Sequence, residues 1–164
     1  MKATLEWSYR LIRWTLGTVF IYTGSTKLAD PSVFGMLIEA YGIVPESLIP
    51  LLAFTLPLLE VAAGFGLVFD IKGSLSTITG LLILFIAVLY YGIHIGLDID
   101  CGCFGPEDPE ARSFQGLRAA FYRDLIMLAA TCFAFGWRKF QGICPKPFIY
   151  YLNMHKVIKK ENTA

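Results

Sequence analysis

The residues with the clearest chemical potential are two cysteines, Cys101 and Cys103, which are separated by a single glycine. Fully extended residues at this spacing lie near or beyond the Cα separation of about 6.8 Å that a disulfide tolerates, so the backbone must bend. Gly102 permits that bend because it has no Cβ atom. A disulfide in so small a ring should be strained and easily reduced. The spacing therefore predicts a catalytic pair for thiol–disulfide exchange.

The neighbouring residues favour a turn at this pair, and their charges both favour and disfavour a thiolate. Gly102, Phe104 and Gly105 form a supporting loop in which a turn is favoured. Several acidic side chains disfavour a thiolate, namely Asp98, Asp100, Glu107, Asp108 and Glu110. Basic side chains at the same surface would favour one, and we interpret Lys27 and Arg118 as thiolate stabilisers.

Two other interpretations of the cysteine pair stand beside exchange. A permanent structural disulfide in the loop would have the same spacing but would not be reduced during function. A zinc site is disfavoured, because structural zinc requires wider cysteine spacing and two further ligands. The remaining candidate ligands are expected inside helices or on the far side of the membrane: His94, His155, Cys132 and Cys144. We therefore predict no metal.

The composition predicts that the elements positioning the pair lie in a membrane. The chain has 164 residues, of which 55% are hydrophobic and 16% charged, with a mean hydropathy of +0.58. Soluble domains of this size are more polar. A net charge of +1 gives no indication of nucleic-acid binding. The first apolar run lacks a small-residue cleavage site, so we interpret it as a membrane helix rather than a signal peptide.

Four segments approach the length of about 20 residues that a membrane-spanning helix needs. They are residues 11–29, 48–69, 74–97 and 114–137. Asp30 and Pro31 predict the start of a short interfacial helix between the first two. The fold class expected is all-α, a left-handed four-helix transmembrane bundle in residues 1–137.

Basic residues predict the orientation of this bundle. One side carries ten of them: Lys2, Arg10, Arg13, Lys72, Arg138, Lys139, Lys146, Lys156, Lys159 and Lys160. The other side carries two, Lys27 and Arg112. We therefore expect cytoplasmic termini, a basic cytoplasmic tail over residues 138–164, and a cysteine loop that faces the oxidising periplasm of a bacterium.

Glu60, Arg123 and Asp124 are expected several residues inside the predicted spans, where an unpaired charge is costly. Glu60 in the second helix and Arg123 in the fourth are expected at similar depths in the membrane, which favours an ion pair between them. Such a pair would either fix the helix register or contribute to a proton path or a site for quinone or substrate. His94, four residues after Tyr90, is a candidate proton relay.

The chain resembles the MauE/DoxX group of four-helix bacterial membrane proteins. The resemblance rests on Arg13 with Gly17, Phe20-Ile-Tyr-Thr-Gly-Ser-Thr-Lys-Leu-Ala-Asp-Pro31, Tyr41 with Pro45, Leu59-Glu60 with Gly64, Cys101-Gly-Cys-Phe-Gly105 and Arg123-Asp124-Leu125. It implies a redox-associated membrane protein. The cysteine pair favours the MauE branch, which implies a link to methylamine utilisation and to the maturation of a disulfide-rich periplasmic dehydrogenase subunit.

Three functional hypotheses follow. The first is an inner-membrane protein that exchanges disulfides with a periplasmic thiol or disulfide protein. The second is a disulfide-generating oxidoreductase that passes electrons to quinone, the one cofactor that any of these hypotheses requires. The third is a non-enzymatic membrane subunit or maturation factor with a structural disulfide. A transporter is disfavoured by the small number of polar midplane groups and the lack of an inverted repeat.

Overall fold

The computed structural model describes residues 2–97 and 116–141, and their side chains from residue 6 onward. These ranges are helical, contain no strand and confirm the all-α class. The helices are α1 (Lys2–Ala29), α2 (Pro31–Ala40), α3 (Ile49–Val68), α4 (Ser74–His94) and α5 (Leu117–Gln141), with a 3₁₀ turn at Glu46–Leu48. The predicted cysteine loop and nearly all of the predicted basic tail lie outside the described residues.

Three helical stretches are long and apolar enough to cross a membrane by length and composition: Glu46–Val68, Ser74–His94 and Leu117–Gln141. They correspond to the second, third and fourth predicted spans. α1 has 28 residues and begins nine residues before the predicted segment 11–29. It does not belong to the three, because charged residues interrupt its apolar run. The predicted total of four spans is thus matched for three of them.

The short helix α2 is present and begins as the sequence predicts. Asp30 is its N-cap, and Pro31 occupies the first turn. The Asp30 carboxylate accepts hydrogen bonds from Ser32 Oγ at 2.5 Å and from the Val33 backbone N–H at 3.2 Å. These bonds, led by that from Ser32, lower the pKa of Asp30. The contribution of this cap to stability is therefore complete above the unfolded-state pKa and is lost as the pH falls through the lowered value.

Glycines let α1 lie very close to α3. A Cβ atom added at Gly64 would lie 2.8 Å from the backbone oxygen of Gly17 and 3.0 Å from the backbone nitrogen of Ile21. One added at Gly24 would lie 2.9 Å from the backbone oxygen of Pro57. These contacts involve backbone atoms that cannot rotate away. The small residues therefore allow the close approach that helices in lipid use for packing.

An ionic cluster closes the end of the bundle at the α3–α4 turn, which we call the turn end and define by Asp70. The Asp70 carboxylate forms ion pairs with Arg13 of α1, at 2.8 Å, and with Arg138 of α5. Arg138 Nε also donates to the hydroxyl of Tyr9 at 2.7 Å. One carboxylate thus links α1, the turn and α5. Arg138, predicted to begin the tail, lies within α5.

The opposite end, where α4 ends and α5 begins, is the loop end, defined by Leu97 and Gly116. Here Tyr41 and Leu97 pack against a buried cluster of Leu89, Leu117 and Ala120. A Cβ atom at Gly92 would meet both Tyr41, at 2.6 Å, and Leu117, at 2.7 Å. This packing fixes the two chain positions between which residues 98–115 run.

Substitution of Gly64 by alanine tests the α1–α3 contact. We expect Gly64→Ala to lower the free energy of unfolding by about 1–3 kcal/mol, because the added methyl group overlaps the α1 backbone. Gly80→Ala is the matched control, since nothing lies within 4 Å of a Cβ atom there. Reversible unfolding in mixed micelles measures both variants. Equal stability of the two variants would contradict this account of the interface.

Candidate functional site

The described helices line a cavity of about 330 Å³ that is partly open to the surface of the bundle. All five helices and the α2–α3 connection contribute to its wall, which is mostly apolar. Five lining residues carry polar groups: Thr23, Lys27, Tyr41, Arg123 and Asp124. An apolar cavity with a few convergent polar groups is the usual form of a small-molecule site.

The cavity lies in the half of the bundle that adjoins the loop end. Its lining residues come from the C-terminal half of α1, the N-terminal half of α3, the C-terminal two-thirds of α4 and the N-terminal half of α5. Those segments are the parts of each helix farthest from Asp70. Tyr41 and Leu89 belong both to the cavity wall and to the loop-end cluster. The cavity therefore shares part of its wall with the packing that holds Leu97 and Leu117.

A buried ion pair between α1 and α3 stands at the wall of this cavity. Lys27 Nζ lies 2.7 Å from Glu60 Oε1, and the two side chains are only 5% and 1% exposed. Thr23 Oγ1 lies 3.5 Å from the other Glu60 oxygen, Oε2. Lys27 Nζ also lies 4.7 Å from the ring centre of Phe85 and 5.1 Å from that of Phe34. The ammonium thus has both a counter-ion and aromatic faces around it.

The local sequence explains how this pair forms. Thr23 and Lys27 are four residues apart and therefore lie on one face of α1. Gly24 lies between them, and a Cβ atom there would be 3.0 Å from Glu60 Cβ. The missing side chain at Gly24 thus lets α3 bring its carboxylate within reach of the ammonium.

A second charged pair lies on α5. Arg123 Nε and Nη2 each lie 3.1 Å from Asp124 Oδ1. The Arg123 side chain is 31% exposed, whereas that of Asp124 is 4% exposed. Both line the cavity, so α5 contributes a cation and an anion to a wall that is otherwise apolar.

The structure gives Glu60 a different partner from the one predicted. The sequence prediction paired Glu60 with Arg123 by comparing depths along α3 and α5. The cation at 2.7 Å is Lys27, and Arg123 forms an ion pair with its own neighbour, Asp124. The reason is the glycine-mediated contact, which makes α1 rather than α5 the helix closest to α3. Lys27, interpreted from the sequence as a thiolate stabiliser, is buried and paired with Glu60.

The remaining predicted site residues are distributed as follows. Arg118 is exposed in the first turn of α5, at the loop end. His94, the last residue of α4, is exposed and stacks on Tyr90 with ring centres 6.5 Å apart. Cys132 is exposed on α5. Cys101, Gly102, Cys103, Phe104 and Gly105 lie outside the described residues. Within residues 2–97 and 116–141, no three His, Cys, Asp or Glu side chains are grouped to hold a metal ion.

Comparison with known proteins identifies the family to which the chain belongs. No curated protein and no solved structure matches the chain. The family described as "Methylamine utilisation protein MauE" matches residues 5–137. The chain belongs to the MauE family. The match includes the whole cavity wall, the Lys27–Glu60 pair and the segment with Cys101 and Cys103, and it ends before the basic tail. The resemblance to MauE stated from the sequence is thereby confirmed.

Sequence reasoning missed much of the wall of this MauE-family cavity. Phe34, Tyr41 and Phe85 were not proposed as site residues, since aromatic residues in apolar helices are ordinary core residues. The available signal was local: Thr23 and Lys27 at helical spacing, with a glycine between them, indicated a polar face on α1. A hydropathy comparison alone does not reveal which helix will meet that face.

Removal of one partner from the Lys27–Glu60 pair tests its role in stability. We expect Lys27→Met to lower the free energy of unfolding by about 3–5 kcal/mol, because Glu60 would stay buried without its counter-ion. The double variant Lys27→Met/Glu60→Gln should recover most of that loss, since it leaves no buried charge. Lys72→Met, at an exposed position, is the control. A double variant no more stable than Lys27→Met would contradict this reading.

Proposed function

We propose that this MauE-family protein is a multi-pass protein of the bacterial inner membrane that exchanges disulfides with a periplasmic protein through Cys101 and Cys103. The observation that carries the proposal is the cysteine pair itself, one residue apart and inside the family match. The packing at the loop end supports it, because Leu97 and Leu117 hold the chain on both sides of the pair.

Four membrane crossings, with α1 as the first, fit the distribution of charge. A helix of 28 residues is about 42 Å long, which exceeds the hydrocarbon thickness of about 30 Å. Two of the charges in its apolar part are neutralised within the bundle: Arg13 by Asp70 and Lys27 by Glu60. These ion pairs lower the free-energy cost of placing α1 in the membrane.

The orientation proposed puts the turn end in the cytoplasm and the loop end in the periplasm. Arg13 and Arg138 meet at the turn end, on the same side as Lys72. This arrangement agrees with the excess of basic residues expected on the cytoplasmic side. The cysteine pair would then face a compartment in which disulfides persist.

The exchange would proceed through a mixed disulfide. The thiolate of one cysteine attacks a disulfide of the partner, forming an intermolecular S–S bond and releasing one partner thiolate. The second cysteine then attacks this bond, closes the Cys101–Cys103 disulfide and releases the other partner thiolate. Two electrons pass to the partner, and the reverse sequence oxidises it. Arg118 is exposed at the loop end, and in this proposal its positive charge would favour a thiolate at the pair.

Single cysteine substitutions test this proposal. In Cys101→Ser or Cys103→Ser, the resolving step is blocked for one of the two orders of attack. We therefore expect one single variant to accumulate a mixed disulfide with a periplasmic protein in bacterial membranes. Non-reducing electrophoresis after acid quenching detects the adduct, which a reductant should dissociate.

The double variant Cys101→Ser/Cys103→Ser should form no adduct, and Cys132→Ser is the control that keeps the pair intact. If neither single variant forms an adduct while the double variant loses stability, the pair is a permanent structural disulfide. That result would favour the non-enzymatic subunit instead of exchange.

A further inference from the structure

The cavity next to the loop end has a wall whose charges cancel. Lys27 is paired with Glu60, and Arg123 is paired with Asp124. A ligand with a net charge would therefore gain little from this wall and would lose its hydration. A neutral ligand whose oxygen atoms accept hydrogen bonds is the better match.

Lys27 retains donors for such a ligand. Lys27 carries three N–H bonds, and its hydrogen bond among the described residues uses one of them, toward Glu60. The cavity wall also carries the guanidinium of Arg123. Hydrogen bonds from a charged donor to a carbonyl oxygen are shorter and stronger than neutral ones. The wall is thus suited to carbonyl oxygens on a neutral ligand.

The rest of the wall fits a flat ring with an apolar chain. The aromatic side chains of Phe20, Phe34 and Phe85 line the cavity, and such rings favour offset or edge contacts with another ring. Two further lining residues, Ile43 and Leu84, are 52% and 45% exposed, at a cavity that is partly open to the surface of the bundle. A chain attached to the ring would reach the lipid there.

From this combination we propose that the cavity is a quinone site. A quinone is neutral, flat, lipid-soluble and carries two carbonyl oxygens. This inference extends the proposed function and rests on it, because the electrons for the quinone would come from the reduced Cys101 and Cys103 pair. Two thiols would lose two electrons and two protons as one S–S bond forms, and the quinone would take up both electrons and two protons to become a quinol. Quinone would thereby restore the disulfide form after the partner has been oxidised.

Binding of decylubiquinone to the full-length protein in lipid nanodiscs, measured by calorimetry, tests the inference. Val88→Trp fills the cavity from α4, whereas Ile83→Trp adds the same side chain at a position that is 55% exposed on that helix. We expect Val88→Trp to weaken binding at least tenfold and Ile83→Trp to leave it unchanged. The folded double variant Lys27→Met/Glu60→Gln should bind about tenfold more weakly, through loss of the charged donor.

The inference would be overturned by equal binding to the two tryptophan variants, or by binding no greater than partition into empty nanodiscs. It would also be overturned if decanoate competed as well as the quinone, because the cavity would then be an acyl-chain site. The Cys101→Ser/Cys103→Ser variant separates the two proposals. It should still bind quinone although it cannot exchange disulfides. Quinone binding by a wild-type protein that exchanges no disulfide would contradict the proposed function alone. Exchange without quinone binding in the wild type affects the present inference alone.

Discussion

The bundle depends on the contact between the Lys27 ammonium and the Glu60 carboxylate. A carboxylate that is 1% exposed within apolar helices requires a counter-ion close by, and that ion lies on a different helix at 2.7 Å. The glycines of α1 and α3 along their shared face let the two helices approach closely around this ion pair. The same contact turns the Lys27 side chain toward the cavity, so packing and site chemistry share one interaction.

Each end of the bundle is closed by a different kind of contact, and the difference agrees with the proposed roles. The turn end is ionic, with Asp70 between two arginines, and it links three parts of the chain in one cluster. The loop end is apolar and aromatic, with Tyr41 fitted against Gly92 and Leu117. Rigid packing at the loop end would hold the exchange pair close to a cavity that shares part of this wall. Oxidation of the partner and reoxidation of the cysteine pair by a membrane electron carrier would then take place in neighbouring parts of one small bundle.

The sequence predicted much of this fold, for identifiable reasons. The start of α4 at Ser74 and the cap of α2 at Asp30 depend on local signals, and both agree with the structure. The burial of Glu60 followed from its position within a long apolar run. Its pairing with Lys27 was not predicted, because hydropathy indicates the depth of a residue along a helix but not which helices are in contact. The cavity could not be predicted from the sequence either, since each of its lining residues has the properties of an ordinary core residue.

The reduction potential of the Cys101–Cys103 pair tests the central claim most directly. It is measured on the purified full-length protein by alkylation of free thiols and mass spectrometry across a series of glutathione redox buffers. The account predicts a midpoint at or above about −230 mV, the range of proteins that exchange disulfides. A midpoint below about −300 mV would contradict it, because a pair that stable is a structural disulfide.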